Sequence, residues 1–262
     1  GNEMFELFLD DTMMYSCGIF EHPQATLQQA SIEKLDRVCR KLELQPDDHL
    51  LEIGSGWGGL ALHAARHYGC RVTTTTISRE QYDMTRKRIS QAGLDDRITV
   101  LCEDYRELSG QYDKLVSIEM IEAVGHAYFD TYFEKCSSLL KPDGLMLLQS
   151  ITIAEQRYEA AKRSVDFIQR YIFPGGCLPS VAVISDAVAS NTDMRLLHLE
   201  DIGPHYATTL KHWRERFMAK LDDVRALGYP EEFIRMWEYY LCYCEGGFRE
   251  RTIGTAQVLL GK

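Results

Sequence analysis

A glycine-rich turn is the first part of the sequence whose composition suggests chemistry. The segment Leu51–Gly59 reads Leu-Glu-Ile-Gly-Ser-Gly-Trp-Gly-Gly, with Gly54, Gly56 and Gly58 at alternate positions. Small residues let the backbone approach a ligand closely, and a helix that begins there offers unpaired N–H groups. Dinucleotide-binding proteins have similar turns, so this turn alone is a weak indication.

Further residues favour S-adenosylmethionine over a dinucleotide as the ligand. The spacing is G-x-G-x-G rather than G-x-G-x-x-G, and Glu52 precedes it, where an acid suits the amino-acid end of that cofactor. We expect Thr76 and Gln81 to meet the ribose hydroxyls, Asp104 the adenine amine, and Tyr105 the adenine ring. Each residue also has an ordinary structural interpretation, such as a helix cap for Asp104. The whole set favours a methyltransferase.

The elements that would position these residues alternate between strands and helices, as in a parallel sheet covered by helices. A preceding helix, Ser31–Leu42, is predicted to begin at a Ser31 cap and to expose Lys34 and Asp36. A turn at residues 141–144 is expected before the fifth strand. The predicted strands are Leu50–Ile53, Arg71–Thr76, Ile98–Cys102, Lys114–Ile118 and Leu145–Ile153, and the predicted helices between them are Gly59–Tyr68, Arg79–Ala92 and Tyr128–Leu139.

The last hundred residues are predicted to be mainly helical. We therefore expect an α/β fold with a class I methyltransferase (Rossmann-like) sheet, mostly parallel with an antiparallel C-terminal strand pair, helices on both faces and a helical lid. The predicted elements are the helices Gln156–Gln169 and Ser180–Ala189, a rigid loop Phe173–Pro179, the strands Met194–Asp201 and Ala256–Leu260, and a helical, aromatic segment Leu210–Tyr243.

Composition limits the classes of protein that the chain can belong to. The 262 residues are 45% hydrophobic, which is enough for a proper core, and no run of about 18 apolar residues predicts a membrane span. The segment Gly1–Asp11 lacks the pattern of a signal peptide, so we expect a cytoplasmic protein. A net charge of -10 disfavours nucleic acid as a partner. The eight cysteines lack zinc spacing, which predicts reduced structural thiols and no metal.

Several sequence blocks together resemble the cyclopropane fatty acid synthase family, over nearly the whole chain. The Tyr-Ser-Cys and Phe-Pro-Gly-Gly-Cys-Leu-Pro-Ser blocks are the most specific, and the latter resembles the plant and related bacterial branch. The blocks are Tyr15–Phe20, Leu51–Gly59, Thr76–Gln81, Met120–Gly125, Tyr171–Ser180, Tyr206–Leu210, Tyr239–Leu241 and Gly246–Arg249.

The resemblance implies a reaction on lipid acyl chains. A cis alkene of an unsaturated phospholipid would attack the methyl group of S-adenosylmethionine, and a carbocation would form. A bound bicarbonate ion would then remove a proton so that a cyclopropane ring closes. Such an enzyme must supply positioning, a dry apolar pocket and a base close to the cation.

The resemblance also assigns residues to the bicarbonate. Glu122, the Tyr206 hydroxyl and the main-chain N–H groups of Cys17 and Ile151 would hold it, so Cys17 would act through its backbone. Many bacterial members carry histidine where this chain has Gln149, whose amide can donate to a bicarbonate oxygen but cannot carry a proton.

The remaining assignments concern the cofactor and the acyl chain. Tyr15, Ser16 and Glu119 are expected at the cofactor. Residues 1–262 are expected to form a single catalytic domain in which residues 154–250 contain a helical acyl-binding insertion. The aromatic side chains of that region are as a rule ordinary core residues; the expected pocket residues are Phe173, Gly175, Tyr239 and Tyr240.

Alternative functions stay open on the sequence alone. A related lipid methyltransferase would leave a methyl or methylene branch, and a more distant alternative is a small-molecule methyltransferase. A cofactor-binding subunit without chemistry is the non-enzymatic alternative. The favoured hypothesis places the protein peripherally at the membrane surface, through local apolar or basic contacts, and allows a homodimer.

Overall fold

The computed structural model describes all residues, 1–262, and contains one seven-stranded sheet. The strand order is β3-β2-β1-β4-β5-β7-β6, and β1 to β5 are parallel. The order reverses between β1 and β4, and ligands of such sheets bind at the carboxyl ends of the strands there. The strands are β1 (His49–Ile53), β2 (Arg71–Thr75), β3 (Ile98–Leu101), β4 (Tyr112–Ile118), β5 (Leu140–Ile153), β6 (Arg195–Asp201) and β7 (Ile253–Gly261).

Eleven α-helices accompany the sheet. Short 3-10 segments lie at Tyr105–Glu107, Ile121–Ala123 and His126–Tyr128. The helices are α1 (Asn2–Phe8), α2 (Leu27–Lys41), α3 (Gly59–Tyr68), α4 (Arg79–Ala92), α5 (Phe129–Leu139), α6 (Glu155–Lys162), α7 (Phe167–Tyr171), α8 (Val181–Asn191), α9 (Gly203–Met218), α10 (Leu221–Ala226) and α11 (Glu231–Arg249).

Strand residues alternate between two cores, one on each face of the sheet. Leu50 and Leu147 pack with α2 and α3, whereas the next residues, Leu51 and Leu148, pack with α5 and α8. This period-two alternation lets one short apolar strand serve both faces. The expected α/β fold with helices on both faces is confirmed.

The C-terminal strand pair is antiparallel, as predicted, but only β7 runs against the rest of the sheet. It pairs with β5 on one side and β6 on the other, antiparallel to both. Strand β5 also begins earlier than expected, since Leu140 already pairs with Tyr112 and the pairing resumes at Leu145 with Lys114. The predicted turn at residues 141–144 is therefore an irregularity within β5.

Helix α2 corrects two expectations. It begins at Leu27 with Thr26 as its cap, while Ser31 lies inside the helix and donates to Asp10 at 2.6 Å. Lys34 is completely buried rather than solvated. The cap assignment was wrong because Thr26 with Gln29 forms a capping box one turn earlier, which leaves Ser31 and Lys34 on the face that packs inward.

A third core lies over the carboxyl end of the sheet and forms the helical lid. Helices α1, α9, α10 and α11 contribute most of it, together with Trp57 after β1. The predicted helix Gln156–Gln169 is instead two helices, α6 and α7, because the Asp166 side chain caps α7 through the Gln169 N–H.

Two further observations concern membrane spans and thiols. No helix combines the length and the apolar composition that crossing a bilayer would require. None of the eight cysteines forms a disulfide, and five of them are buried. The interpretation of the cysteines as mainly structural thiols agrees with that burial.

Candidate active site

The glycine turn connects β1 to α3 at the point where the strand order reverses. Gly54, Gly56 and Gly58 have φ values of 98°, 50° and 82°, which L side chains rarely adopt. A Cβ on Gly58 would lie 2.8 Å from Thr85 Cγ2, whereas one on Gly56 would meet nothing within 4 Å. Gly56 thus borders open space where a cofactor fits, next to the N-terminus of α3.

Two expected cofactor residues are brought together and one is engaged elsewhere. Thr76 Oγ1 donates to Gln81 Oε1 at 2.8 Å, so this pair lies side by side at the end of β2. Asp104 accepts from the Arg106 backbone at 2.9 Å and pairs with its guanidinium at 2.7 Å. Tyr105 packs edge-on against Tyr132. Asp104 therefore caps its own 3-10 segment, which is the ordinary role considered for it.

Glu52 is turned towards the neighbouring strand. It is buried, and its Oε2 accepts from Thr74 Oγ1 at 2.6 Å. Burial raises its pKa to about 8, because a carboxylate loses its hydration there. Thr74 is therefore its hydrogen-bond partner in the structure, and a role for Glu52 at the ammonium group of the cofactor stays a prediction.

Glu119 is the centre of the site. It follows β4 directly, is half-buried and has a φ of 51°. Its Oε1 accepts from Cys17 N at 3.0 Å and from Gln149 Nε2 at 2.8 Å, and its Oε2 accepts from the Tyr206 hydroxyl at 2.5 Å. Burial raises the pKa of Glu119, but all three donors favour its ionised form.

A chain of hydrogen bonds fixes the direction of the Gln149 amide. The Lys41 ammonium can only donate, and it donates to Gln257 Oε1 at 2.7 Å. Gln257 Nε2 therefore donates to Gln149 Oε1 at 2.9 Å, which leaves Gln149 Nε2 to donate to Glu119. The same register places Gln149 O where it accepts from Glu119 N at 2.7 Å.

Glu122 occupies a separate position one short turn later. Its Oε1 accepts from Ile151 N at 2.5 Å and Ser150 Oγ at 3.0 Å, and its Oε2 is buried without a partner. Burial and the charge of Glu119 raise the pKa of Glu122 to about 8. At neutral pH Glu122 is therefore the protonated member of a two-carboxyl site.

The arrangement differs from the one expected around a bicarbonate ion. The Cys17 N–H and the Tyr206 hydroxyl meet Glu119, while the Ile151 N–H meets Glu122. These donors are already used by the two carboxyl groups, and a second anion would be repelled by the Glu119 carboxylate. The residues present therefore do not fit a bicarbonate ion.

We expect Glu122→Gln to weaken the pH dependence of stability. The pKa of Glu122 is raised from 4.5 to about 8 in the fold, so the folded state holds more protons than the unfolded state between those values. The contribution of Glu122 to the free energy of unfolding is full below pH 4.5. It is lost as the pH rises towards 8, by about 1.4 kcal/mol per pH unit. Glutamine mimics the protonated acid, so urea unfolding from pH 5 to 8 should show a smaller decline in the variant. Equal slopes would contradict the prediction.

Lys34 is a functional candidate that the sequence did not reveal. Its Nζ donates to Ser16 Oγ at 2.8 Å, directly beside the Cys17 backbone. Burial lowers the pKa of Lys34 to about 8, and the charge of Glu119 opposes that shift. A lysine on the apolar face of α2 was the available indication. It supplies a buried positive charge behind the Tyr15–Cys17 segment.

Aromatic side chains surround the carboxyl pair. The ring centroids of Tyr206 and Phe248 are 4.4 Å apart, and the hydroxyl oxygens of Tyr15 and Tyr240 are 2.7 Å apart. Burial raises the pKa values of Tyr15 and Tyr240, and the nearby Glu119 charge adds to both shifts. The ring centroids of Phe173 and Tyr240 are 6.2 Å apart. The surroundings are therefore apolar, with a few hydroxyl groups facing one another.

The glycine turn and the carboxyl pair adjoin each other. A Cβ built on Gly54 would lie 3.4 Å from the side chain of Met120, the residue that follows Glu119. This proximity follows from the sheet, because β1 and β4 are parallel neighbours and both segments leave at their carboxyl ends. A methyl donor bound at the glycine turn would thus have the carboxyl pair nearby.

Comparisons with known proteins show which family the chain resembles. A family model described as mycolic acid cyclopropane synthetase matches residues 1–258. The tuberculostearic acid methyltransferase UfaA1 of Mycobacterium tuberculosis is 42% identical over 255 residues, covering 95% of this chain and 60% of the relative. The cyclopropane-fatty-acyl-phospholipid synthase of Escherichia coli K12 is 41% identical over 263 residues, covering 100% and 65%.

Solved structures extend the similarity to the fold. The mycolic acid cyclopropane synthase CmaA1 complexed with SAH and CTAB matches with a TM-score of 0.93 at 32% identity, covering 100% of this chain and 94% of that one. The chain spans 60% and 65% of the two curated relatives named above. Because the family model matches nearly every residue, the chain belongs to the mycolic acid cyclopropane synthetase family.

Proposed function

We propose that the protein is an S-adenosylmethionine-dependent enzyme that converts the cis double bond of an unsaturated phospholipid acyl chain into a cyclopropane. The observation that carries the proposal is the half-buried Glu119–Glu122 pair beside the glycine turn, next to a core rich in aromatic side chains. An alkene is a weak nucleophile. Its methylation leaves a carbocation that no neighbouring lone pair stabilises. A nearby carboxylate in a dry site stabilises such a cation.

The chain's own residues divide the work of this reaction. When bound, S-adenosylmethionine supplies an electrophilic methyl group on a positively charged sulfur. The turn at Gly54–Gly58 would hold its amino-acid part, and Thr76 with Gln81 the ribose. Tyr15 and Ser16 would complete the cofactor side. The aromatic core beside the pair excludes water, which would otherwise quench the cation.

Residues 154–250 provide the proposed acyl-binding insertion. The ring centroid of Phe167 lies 4.7 Å from that of Tyr239 and 5.5 Å from that of Tyr171. Aromatic rings of α7 and α11 therefore form one cluster. Phe173 and Tyr239 are 47% and 53% exposed, and Gly175, with a φ of 83°, turns the chain beside them. Exposed apolar clusters of this kind mark interaction sites. We propose that an acyl chain enters here from a membrane surface, to which the protein binds peripherally through apolar contacts.

A second product is favoured by the names of the relatives. UfaA1 is named a tuberculostearic acid methyltransferase, and a Pseudomonas putida relative of 39% identity is named a probable fatty acid methyltransferase. In that case the same cation would lose a proton without ring closure, and the electron pair of that C–H bond would form a C=C bond. The product would be a methylene branch, after a hydride shift, or a methyl branch beside a double bond. The carboxyl pair serves both outcomes, because each requires a base near the cation.

Incubation with labelled S-adenosylmethionine and vesicles of unsaturated phospholipid tests the proposal. We expect a labelled acyl chain that is heavier by one CH₂ and resists mild hydrogenation, as a ring does and an exocyclic alkene does not. A soluble amine supplied as the only acceptor should give no product. Methylation of the amine together with unmodified lipid would contradict the assignment and favour a small-molecule methyltransferase.

A further inference from the structure

We propose that the carboxylate of Glu119 takes the place of a separate bicarbonate ion and is itself the base that removes a proton from the newly transferred methyl group. The inference rests on the proposed function and identifies the catalytic base within it. It removes the need for a dissociable anion in this chain.

The hydrogen-bond donors around Glu119 carry the inference. The Cys17 N–H, the Gln149 amide and the Tyr206 hydroxyl come from three separate parts of the chain and all converge on this one side chain. These three donors form an anion-binding pocket. The anion that fills it is the carboxylate of Glu119, which belongs to the protein itself. Oε1 accepts two hydrogen bonds and Oε2 only one, so Oε2 keeps a lone pair that can accept a proton.

The backbone of Glu119 supports a functional role. Its φ of 51° is a left-handed conformation that costs a non-glycine residue about 1 kcal/mol or more. Glycine would avoid this cost, and the fold tolerates the strain because three hydrogen bonds hold the side chain. Glu43 has a similar φ on the surface, and what distinguishes Glu119 is that three hydrogen-bond donors converge on its side chain.

Two neighbouring groups keep Glu119 ready to act. Lys34, buried behind Ser16, contributes a positive charge that favours the ionised carboxylate. Glu122 carries the proton of the pair, so it does not compete as a base at neutral pH. The site therefore offers one ionised carboxylate at a fixed position.

The proposed step balances in atoms and charge. After methyl transfer the acyl chain carries a positive carbon next to the carbon that bears the new methyl group. One C–H bond of that methyl group breaks, and its proton goes to Glu119 Oε2. The electron pair of that bond forms the third C–C bond of the ring and neutralises the cation. Glu119 then returns the proton to solvent once the product has left.

The test compares Glu119→Gln and Glu119→Gly with Glu43→Gly. Glu43 is an exposed glutamate with a φ of 53°, so Glu43→Gly makes the same backbone change away from the site. Turnover on unsaturated phospholipid is measured in carbon dioxide-free buffer with and without added bicarbonate. Thermal unfolding, S-adenosylhomocysteine binding and NMR of carbon-13-labelled bicarbonate are measured on each protein.

We expect wild-type and Glu43→Gly proteins to be equally active with or without bicarbonate. Glu119→Gln should lose activity by about 100-fold or more, the range of a general base, and still bind S-adenosylhomocysteine. Glu119→Gly leaves three donors without their acceptor, so it should unfold at a lower temperature than wild type, and added bicarbonate should raise that temperature. It should also bind labelled bicarbonate, which wild type should not, and added bicarbonate should restore part of its turnover.

Three outcomes would overturn the inference. They are a wild-type enzyme that requires bicarbonate, a Glu119→Gln variant with near wild-type turnover, and bicarbonate binding by wild type at this pocket. A wild-type protein that modifies no lipid at all would instead refute the proposed function. The bicarbonate-binding and unfolding measurements would then still decide whether Glu119 fills the anion pocket.

Discussion

Gly56→Leu is expected to abolish cofactor binding while the protein stays folded. Gly56 borders open space, since a Cβ there meets no atom within 4 Å, and this is the space in which the cofactor would approach the backbone. A leucine side chain would fill it. We expect the affinity for S-adenosylhomocysteine, measured by titration calorimetry, to fall by about 100-fold or more, which corresponds to about 2.8 kcal/mol of binding free energy.

Gly93→Leu is the matched control for this change. Gly93 ends α4 with a φ of 65°, and a Cβ there also meets nothing within 4 Å. Both variants should therefore lose a similar amount of stability, about 1 kcal/mol, from the left-handed backbone. Only Gly56→Leu should lose cofactor affinity. Equal affinity in both variants would place the cofactor away from the glycine turn.

Tyr206→Phe should lower turnover by about tenfold to 100-fold, because a hydrogen bond to a charged group is worth about 1.5–3 kcal/mol. The hydroxyl donates to Glu119 Oε2 at 2.5 Å, and no other donor reaches that oxygen. Its loss leaves that carboxylate oxygen without a hydrogen-bond partner to hold it in position. Steady-state kinetics on unsaturated phospholipid should show the fall in kcat, with KM for S-adenosylmethionine nearly unchanged.

Tyr112→Phe controls for the loss of a tyrosine hydroxyl from the core. Tyr112 is also buried, but its hydroxyl donates to the Ser109 carbonyl at the start of β4, far along the strand from Glu119. We expect this variant to keep wild-type turnover. If Tyr206→Phe behaved in the same way, the hydrogen bond to Glu119 would have no part in catalysis.

The fold was largely predictable because its determinants are local. Apolar runs at Leu50–Ile53 and Lys114–Ile118, separated by helical periodicity, are sufficient to indicate a parallel sheet. The errors occurred where a competing local interaction decides the boundary. Thr26, rather than Ser31, caps the start of α2. Asp166 caps α7, so the single predicted helix is two helices, α6 and α7.

The site was less predictable because it depends on side-chain pairing across the sheet. From the sequence, Glu122 was expected beside Tyr206 and Glu119 at the cofactor, whereas in the structure the Tyr206 hydroxyl donates to Glu119. The role of Gln149 also depends on Gln257 and Lys41, which lie on other elements. No spacing in the sequence encodes these long-range bonds.

The burial of Lys34 has an electrostatic consequence for the proposed reaction. Its ammonium donates to Ser16, and its charge offsets that of the Glu119 carboxylate without direct contact. The site therefore carries a single unit of positive charge once the sulfonium is bound. Methyl transfer moves that unit from sulfur to carbon without changing the total. Methyl transfer therefore displaces a charge over a short distance and creates no new one. The protein dipoles around the site need to reorient little as the bond forms.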